Sequence, residues 1–146
     1  MRIKKLVIQN IEQMYNLGLQ EFRGQKWYYK KFIKDTFRRS GLYLGAFDKN
    51  KLIGVLMLAI YDKPKSWIYF FVVDKKFQRK GIGTKLLKHT ERKLPRGYFL
   101  IFVDIGKEDI VAKKFYVKNG FKRVVQIKDW FGKEHDGLIY CKRRWH

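Results

Sequence analysis

Apolar and polar residues alternate along 2–8 closely enough to predict a first strand, and Asn10 stands where it could cap a helix whose apolar positions Ile11, Met14, Tyr15 and Leu19 recur at helical spacing. A second helix is predicted from about Trp27 to Arg39, with Tyr28, Phe32, Ile33 and Phe37 on one face, before Ser40-Gly41 stops it. Leu42 to Phe47 and Leu52 to Tyr61 then read as antiparallel strands around the polar turn Asp48-Lys49-Asn50-Lys51. Trp67 to Val73 is aromatic, β-branched and almost without polar breaks, so a central strand covered on both faces is expected there. After Val73 the period changes. Ile82, Leu86, Leu87 and Leu94 mark a helical face ended by Pro95-Arg96-Gly97, and Tyr98 to Asp104 reads as another strand. A last helix from about Asp109 carries Val111, Ala112, Phe115 and Tyr116 and is capped by Asn119-Gly120, before strands near 122–128 and 138–142. This order predicts an α/β (α+β) fold, a central mixed sheet of six to seven strands with helices on both faces.

A chain of 146 residues with 46% hydrophobic residues, two prolines and no linker or repeat predicts one domain over 1–146, large enough to bury a core. No apolar run approaches the roughly 20 residues of a membrane span, so no membrane partner is expected. The basic start, Met1 to Ile8, lacks a signal peptide's long apolar region, which points to the cytoplasm. The lone Cys141 has no partner for an internal disulfide, and its alternating surroundings fit a buried strand residue better than a nucleophile.

Charge changes the picture more. Lys and Arg outnumber Asp and Glu 34 to 13, a formal net charge of +21, so partners should be anionic. A polyphosphate cofactor, an RNA or ribosomal partner, and a high-lysine proteome such as a thermophile's all account for such a balance.

The richest chemistry lies between Val73 and Leu87. Gly81 and Gly83 remove the β-carbons that would keep the backbone from a bulky anion, so successive N–H groups can converge on a phosphate at a helix N-terminus. From Lys75 to Lys93 there are eight basic residues and one acid, Glu91, which suits a pyrophosphate with an additional phosphate. A Walker A loop is excluded, because the second glycine is followed by Thr84-Lys85 rather than by Lys-Ser/Thr. A dinucleotide fingerprint is excluded because Leu86 stands where its third glycine belongs. The bland alternative is a solvated basic loop.

Gln78-Arg79-Lys80-Gly81-Ile82-Gly83 matches Gln/Arg-x-x-Gly-x-Gly/Ala, and Ala112, Phe115, Tyr116, Gly120 and Phe121 match Ala-x-x-Phe/Leu-Tyr-x-x-x-Gly-Phe. On these two signatures the chain resembles the GNAT superfamily of N-acetyltransferases over essentially its whole length, more specifically in its second half. The resemblance implies acetyl-CoA as acetyl donor and a primary amine as acceptor, joined by direct attack in a ternary complex. It implies that Phe71, Val72 and Val73 offer backbone groups to the pantetheine arm, that Arg79, Lys80, Gly81, Ile82, Gly83 and Thr84 hold the pyrophosphate, and that Gln78 and Tyr116 also bind the cofactor, Tyr116 near its sulfur. Many relatives have a cofactor-contacting Asn where this chain has Asp109, which can accept a hydrogen bond but, ionised, cannot donate one.

Acetyl transfer needs a neutral amine, a stabilised oxyanion and a proton for the departing thiolate. The backbone N–H of Val73 is a candidate for the oxyanion. By resemblance Tyr116 is the acid, against the plainer reading that it only packs with Phe115. Asp104, at the end of its strand, is the candidate base through water, as in relatives that act on ribosomal proteins and protein N-termini; Asp74 is the other nearby acid. A strand-end Asp104 paired with a surface cation is the competing reading. His89, His135 and His146 lack metal-ligand spacing, and no metal is expected.

By resemblance, the acceptor site is built from the first two helices and the loop between the last strands. Trp27 to Phe32 and Lys128 to Lys133 interleave aromatic and basic residues there, as a lid for a partly apolar, partly anionic substrate would, and as amphipathic elements with solvated charges also do. The positive field would repel a polycationic acceptor but not a protein N-terminus, an amino acid derivative or an RNA-linked amine such as aminoacyl-tRNA. The alternative of another class is a non-catalytic RNA- or ribosome-binding module with the same fold. Monomer and homodimer both remain open.

Overall fold

The computed structural model describes residues 1–144. In chain order these form β1 (Arg2–Lys5), α1 (Ile11–Phe22), α2 (Lys30–Thr36), β2 (Gly41–Asp48), β3 (Lys51–Ile60), β4 (Lys65–Val73), α3 (Ile82–Lys93), β5 (Leu100–Gly106), α4 (Ile110–Lys118), β6 (Lys122–Ile127) and β7 (Gly137–Arg143). The fold is mixed α/β, with a seven-stranded sheet in the order β1-β2-β3-β4-β5-β7-β6. The described chain falls into two compact units, one made of Met1–Ile60 and Phe70–Leu94, the other of Tyr61–Tyr69 and the chain from Pro95 onward.

In the first unit, β1, β2 and β3 pair antiparallel in that order, with Asp48 opposite Lys51 at the tight β2–β3 turn and Lys49 left-handed at φ 57°. Both α1 and α3 pack on β3, and every β3 residue from Leu52 to Ala59 is buried. The strand covered on both faces is therefore β3. In β4, expected to be that strand, Ser66, Ile68, Phe70 and Val72 are buried while Trp67, Tyr69, Phe71 and Val73 stay half-exposed. Its run of large residues reflects one packed face and one aromatic face.

Two further expectations need correction. The first strand ends at Lys5 instead of Ile8, and Asn10 does not cap α1 with its side chain; its Oδ1 accepts the Val7 N–H at 2.9 Å and closes a short 3-10 turn. The second helix covers only Lys30–Thr36. Its expected first turn is lost because Tyr28 lies against Gly18 of α1, its hydroxyl donating to the Tyr15 carbonyl at 2.7 Å, with its ring among Tyr15, Phe22, Trp27 and Phe70. Aromatic burial outweighs local helix periodicity there. At the other end the Tyr43 hydroxyl lies 2.6 Å from the Thr36 carbonyl and 2.7 Å from that of Arg39, so its one proton donates to either of the two oxygens.

In the second unit β4 and β5 run parallel, in register from Lys65↔Leu100 to Ile68↔Val103, and β7 pairs antiparallel with both β5 and β6. The core side is formed by Ile101, Val103 and Ile105 of β5 with Leu138 and Tyr140 of β7. β5 starts at Leu100 because Tyr98 still belongs to the turn after α3, its N–H bonded to the Pro95 carbonyl.

Candidate functional site

In the first unit the segment from Val73 to Thr84 is held by several independent ties. Asp74 is buried; its Oδ1 accepts the Lys76 N–H at 2.9 Å, its own N–H donates to the Ile53 carbonyl at 2.8 Å, and its Oδ2 lies 3.8 Å from Lys51 Nζ. Gln20 of α1 accepts the Lys75 N–H at 2.9 Å, and Gln78 Nε2 donates to the Val73 carbonyl at 2.9 Å. Gln78 thus fastens the loop to the end of β4. Asp74, considered as a base from sequence, is occupied as the cap of a 3-10 turn over Lys75–Phe77.

Beyond Gln78 the backbone is left-handed at Arg79 (φ 65°) and again at Gly81 (φ 79°), immediately before α3 begins. Gly81 caps α3 without a side chain, so the first-turn N–H groups, which no helix satisfies internally, receive no side-chain cap from it. A β-carbon built on Gly81 would meet nothing within 4 Å, so the space in front of this turn is open. Arg79, Lys80 and Lys85 are exposed around it, whereas Ile82 points into the core and can offer only its backbone. Thr84 and Gly83 are half-buried in the first turn of the helix. Open N–H groups, a left-handed glycine and exposed cations together fit a phosphate-bearing ligand. Phe71 and Val73 are half-exposed at the end of β4, with Val72 between them buried.

In the second unit Asp104 lies on β5, half-buried. Its Oδ1 accepts the indole N–H of Trp67 at 2.8 Å and its Oδ2 that of Trp130 at 2.8 Å. The sequence gives no sign of these partners, 37 and 26 residues away. Tyr116 is buried on α4, its ring edge-on to Phe115 and Phe121 at 5.2 and 5.1 Å between centroids. Burial first, and then the carboxylates of Asp104 and Asp109, push its phenol well above the ordinary tyrosine value, so it stays protonated. Asp109 is the N-cap of α4, its Oδ1 accepting the Ala112 N–H at 3.0 Å. That capping role accounts for an acid at this position without a ligand. Asp104, Asp109 and Tyr116 are thus neighbours in one unit, and Phe71 through Thr84 are neighbours in the other.

The loop between β6 and β7 is ordered by its own hydrogen bonds. Asp136 accepts the Asp129 N–H at 3.0 Å and Gln126 Nε2 at 2.9 Å, and Asp129 accepts the Glu134 N–H at 2.8 Å. The first two of these hold the Asp136 carboxyl below the usual aspartate range. Trp130 and Phe131 remain about half-exposed at its tip.

Among the described residues no group of three His, Cys, Asp or Glu side chains could hold a metal ion, and no helix is long and apolar enough to cross a membrane. His89 bonds the Lys85 carbonyl on the surface of α3, His135 sits in the β6–β7 loop, and His146 lies outside the described residues. Cys141 is half-buried on β7, where burial pushes its thiol up.

The model of the acetyltransferase (GNAT) family matches residues 8–121. Among solved structures, smu.2055 from Streptococcus mutans UA159 is 25% identical, with a TM-score of 0.87 over 98% of this chain and 99% of its own. The ribosomal-protein-S18-alanine N-acetyltransferase from Escherichia coli is 18% identical, with a TM-score of 0.81 over 97% of this chain and 92% of its own. The PaiA N-acetyltransferase from Thermoplasma acidophilum, solved in complex with coenzyme A, is 24% identical, with a TM-score of 0.76 over 98% of each chain. For the last two, identity this low makes the likeness one of fold.

Proposed function

Because the chain belongs to the acetyltransferase (GNAT) family, we propose that it is an N-acetyltransferase of one domain, residues 1–146, moving acetyl from acetyl-CoA to a primary amine by direct attack in a ternary complex. The observation that carries this is the open, left-handed turn at Arg79–Gly81 before α3, with exposed cations around it. Bound there, acetyl-CoA supplies an acetyl group already activated as a thioester. The N–H groups of residues 79–84 hold its pyrophosphate, with Arg79, Lys80 and Lys85 adding charge. Gln78 acts mainly by fixing the Val73 carbonyl, which orients the end of β4 whose backbone, from Phe71 to Val73, receives the pantetheine arm.

We assign the oxyanion contact to the Val73 N–H and the proton for the departing thiolate to Tyr116. Burial holds the Tyr116 phenol protonated, so its O–H is available to the departing thiolate, and the raised pKa makes it a weaker acid than a free tyrosine. Asp104 is assigned the base role through water. An ionised carboxylate offers about four lone-pair directions, and two indole N–H groups leave room for a water. Asp109 serves the cofactor by capping α4 and thereby setting the helix that carries Tyr116.

The acceptor is an amine that tolerates a strongly positive field, such as a protein N-terminus, an amino acid derivative or an RNA-linked amine. Release of free coenzyme A thiol, followed over a panel of such amines, tests the reading. Turnover with at least one of them is expected. No thiol release with any amine, together with tight, steeply salt-dependent RNA binding, would favour a non-catalytic RNA- or ribosome-binding module instead.

A further inference from the structure

Trp130 is an unusual loop residue. It is 43% exposed, yet its indole donates to Asp104 Oδ2 at 2.8 Å and its ring rests against Gly137 so closely that a β-carbon there would stand 2.5 Å from Trp130 Cδ1. The other Asp104 oxygen holds Trp67, whose ring stacks on Phe102 at 5.3 Å and 18°. β5 and the loop tip are therefore joined through one carboxylate, with an indole on each oxygen.

We propose that Asp104 is a positioning residue for this loop: by accepting Trp67 and Trp130 together it fixes the 128–136 segment as a rigid wall presenting the faces of Trp130 and Phe131. Hydrogen bonds to an ionised acceptor are roughly twice as strong as neutral ones, and two from rigid indoles define an orientation rather than only a distance. The loop's internal bonds through Asp129 and Asp136 make it move as a body, so fixing Trp130 fixes the rest. Trp130 and Phe131 are both exposed at the tip, so the wall suits an acceptor with an apolar group near its amine. That last clause rests on the acetyltransferase reading; the part played by Asp104 does not.

The test needs no acceptor. In a nitrogen–proton correlation spectrum the indole N–H signals are assigned by single Trp→Phe substitutions. Asp104→Asn keeps the shape but leaves one oxygen to accept, so the signals of both Trp67 and Trp130 should move while that of Trp27 stays. Gly137→Ala displaces the ring without touching the carboxylate, and should move the signal of Trp130. In both variants the amides of Asp129, Phe131, Glu134 and His135 should exchange about tenfold faster or more. A Trp130 signal unmoved in Asp104→Asn, or loop amides exchanging at the wild-type rate in both variants, would overturn the proposal. Gly137→Ala should bind acetyl-CoA as the wild type does; failure of the wild type itself to bind or transfer would count against the acetyltransferase reading alone.

Discussion

A side-chain methyl at Gly18 would overlap the Tyr28 hydroxyl and stand 2.9 Å from the Phe70 ring, inside the aromatic cluster of the first unit. Gly18→Ala must push Tyr28 off its bond to the Tyr15 carbonyl, and overpacking of this kind costs about 1–3 kcal/mol. Urea unfolding should show a lower midpoint at unchanged slope. Tyr116 poses a chemical question. If it protonates the departing thiolate, Tyr116→Phe should lower kcat by roughly a hundredfold or more while the calorimetric affinity for acetyl-CoA stays near wild type. An unaltered rate at saturating substrate would remove it from the mechanism. Neither Gly18 nor the indole partners of Asp104 can be recognised from sequence, because each is defined by a tertiary neighbour ten or more residues away.

Among the elements, the switch from strand to helix around Val73–Ile82 is legible because period, glycine placement and charge change together within a few residues, and the structure puts left-handed Gly81 at the start of α3. The start of α2 is not legible. Tyr28 keeps a helical spacing with Phe32 and Ile33, yet Trp27 and Tyr28 serve an aromatic cluster with Phe22 that pulls them out of the helix. β4 misleads in another way, since large apolar residues on a half-exposed face look the same in sequence as buried ones. The β6–β7 loop depends on the charge of Asp136, whose pKa is lowered by its bonds to the Asp129 N–H and to Gln126. Its bonds therefore persist above the ordinary aspartate value of 3.8 and are lost as pH falls through the lower folded value. Below that value the Asp129 amide should lose protection relative to its intrinsic exchange rate at the same pH, whereas Asp136→Asn should show that lower protection already at neutral pH, with little further change on acidification.

For the molecule as a whole, a net charge of +21 is readable at once, but its partner is not, since a field has no address. A cofactor carrying several phosphates should feel it: raising salt from about 0.1 to about 1 M shortens the screening length from ~10 to ~3 Å, and the affinity for acetyl-CoA should weaken severalfold by calorimetry. The most direct measurement compares acetyl-CoA titrations of the wild type and of Gly83→Trp, which puts a bulky indole in the first turn of α3. Saturable binding to the wild type, abolished by the substitution in a variant that still unfolds cooperatively, is the expected result. No heat with the wild type at millimolar coenzyme, or equal affinity in both proteins, would contradict the account.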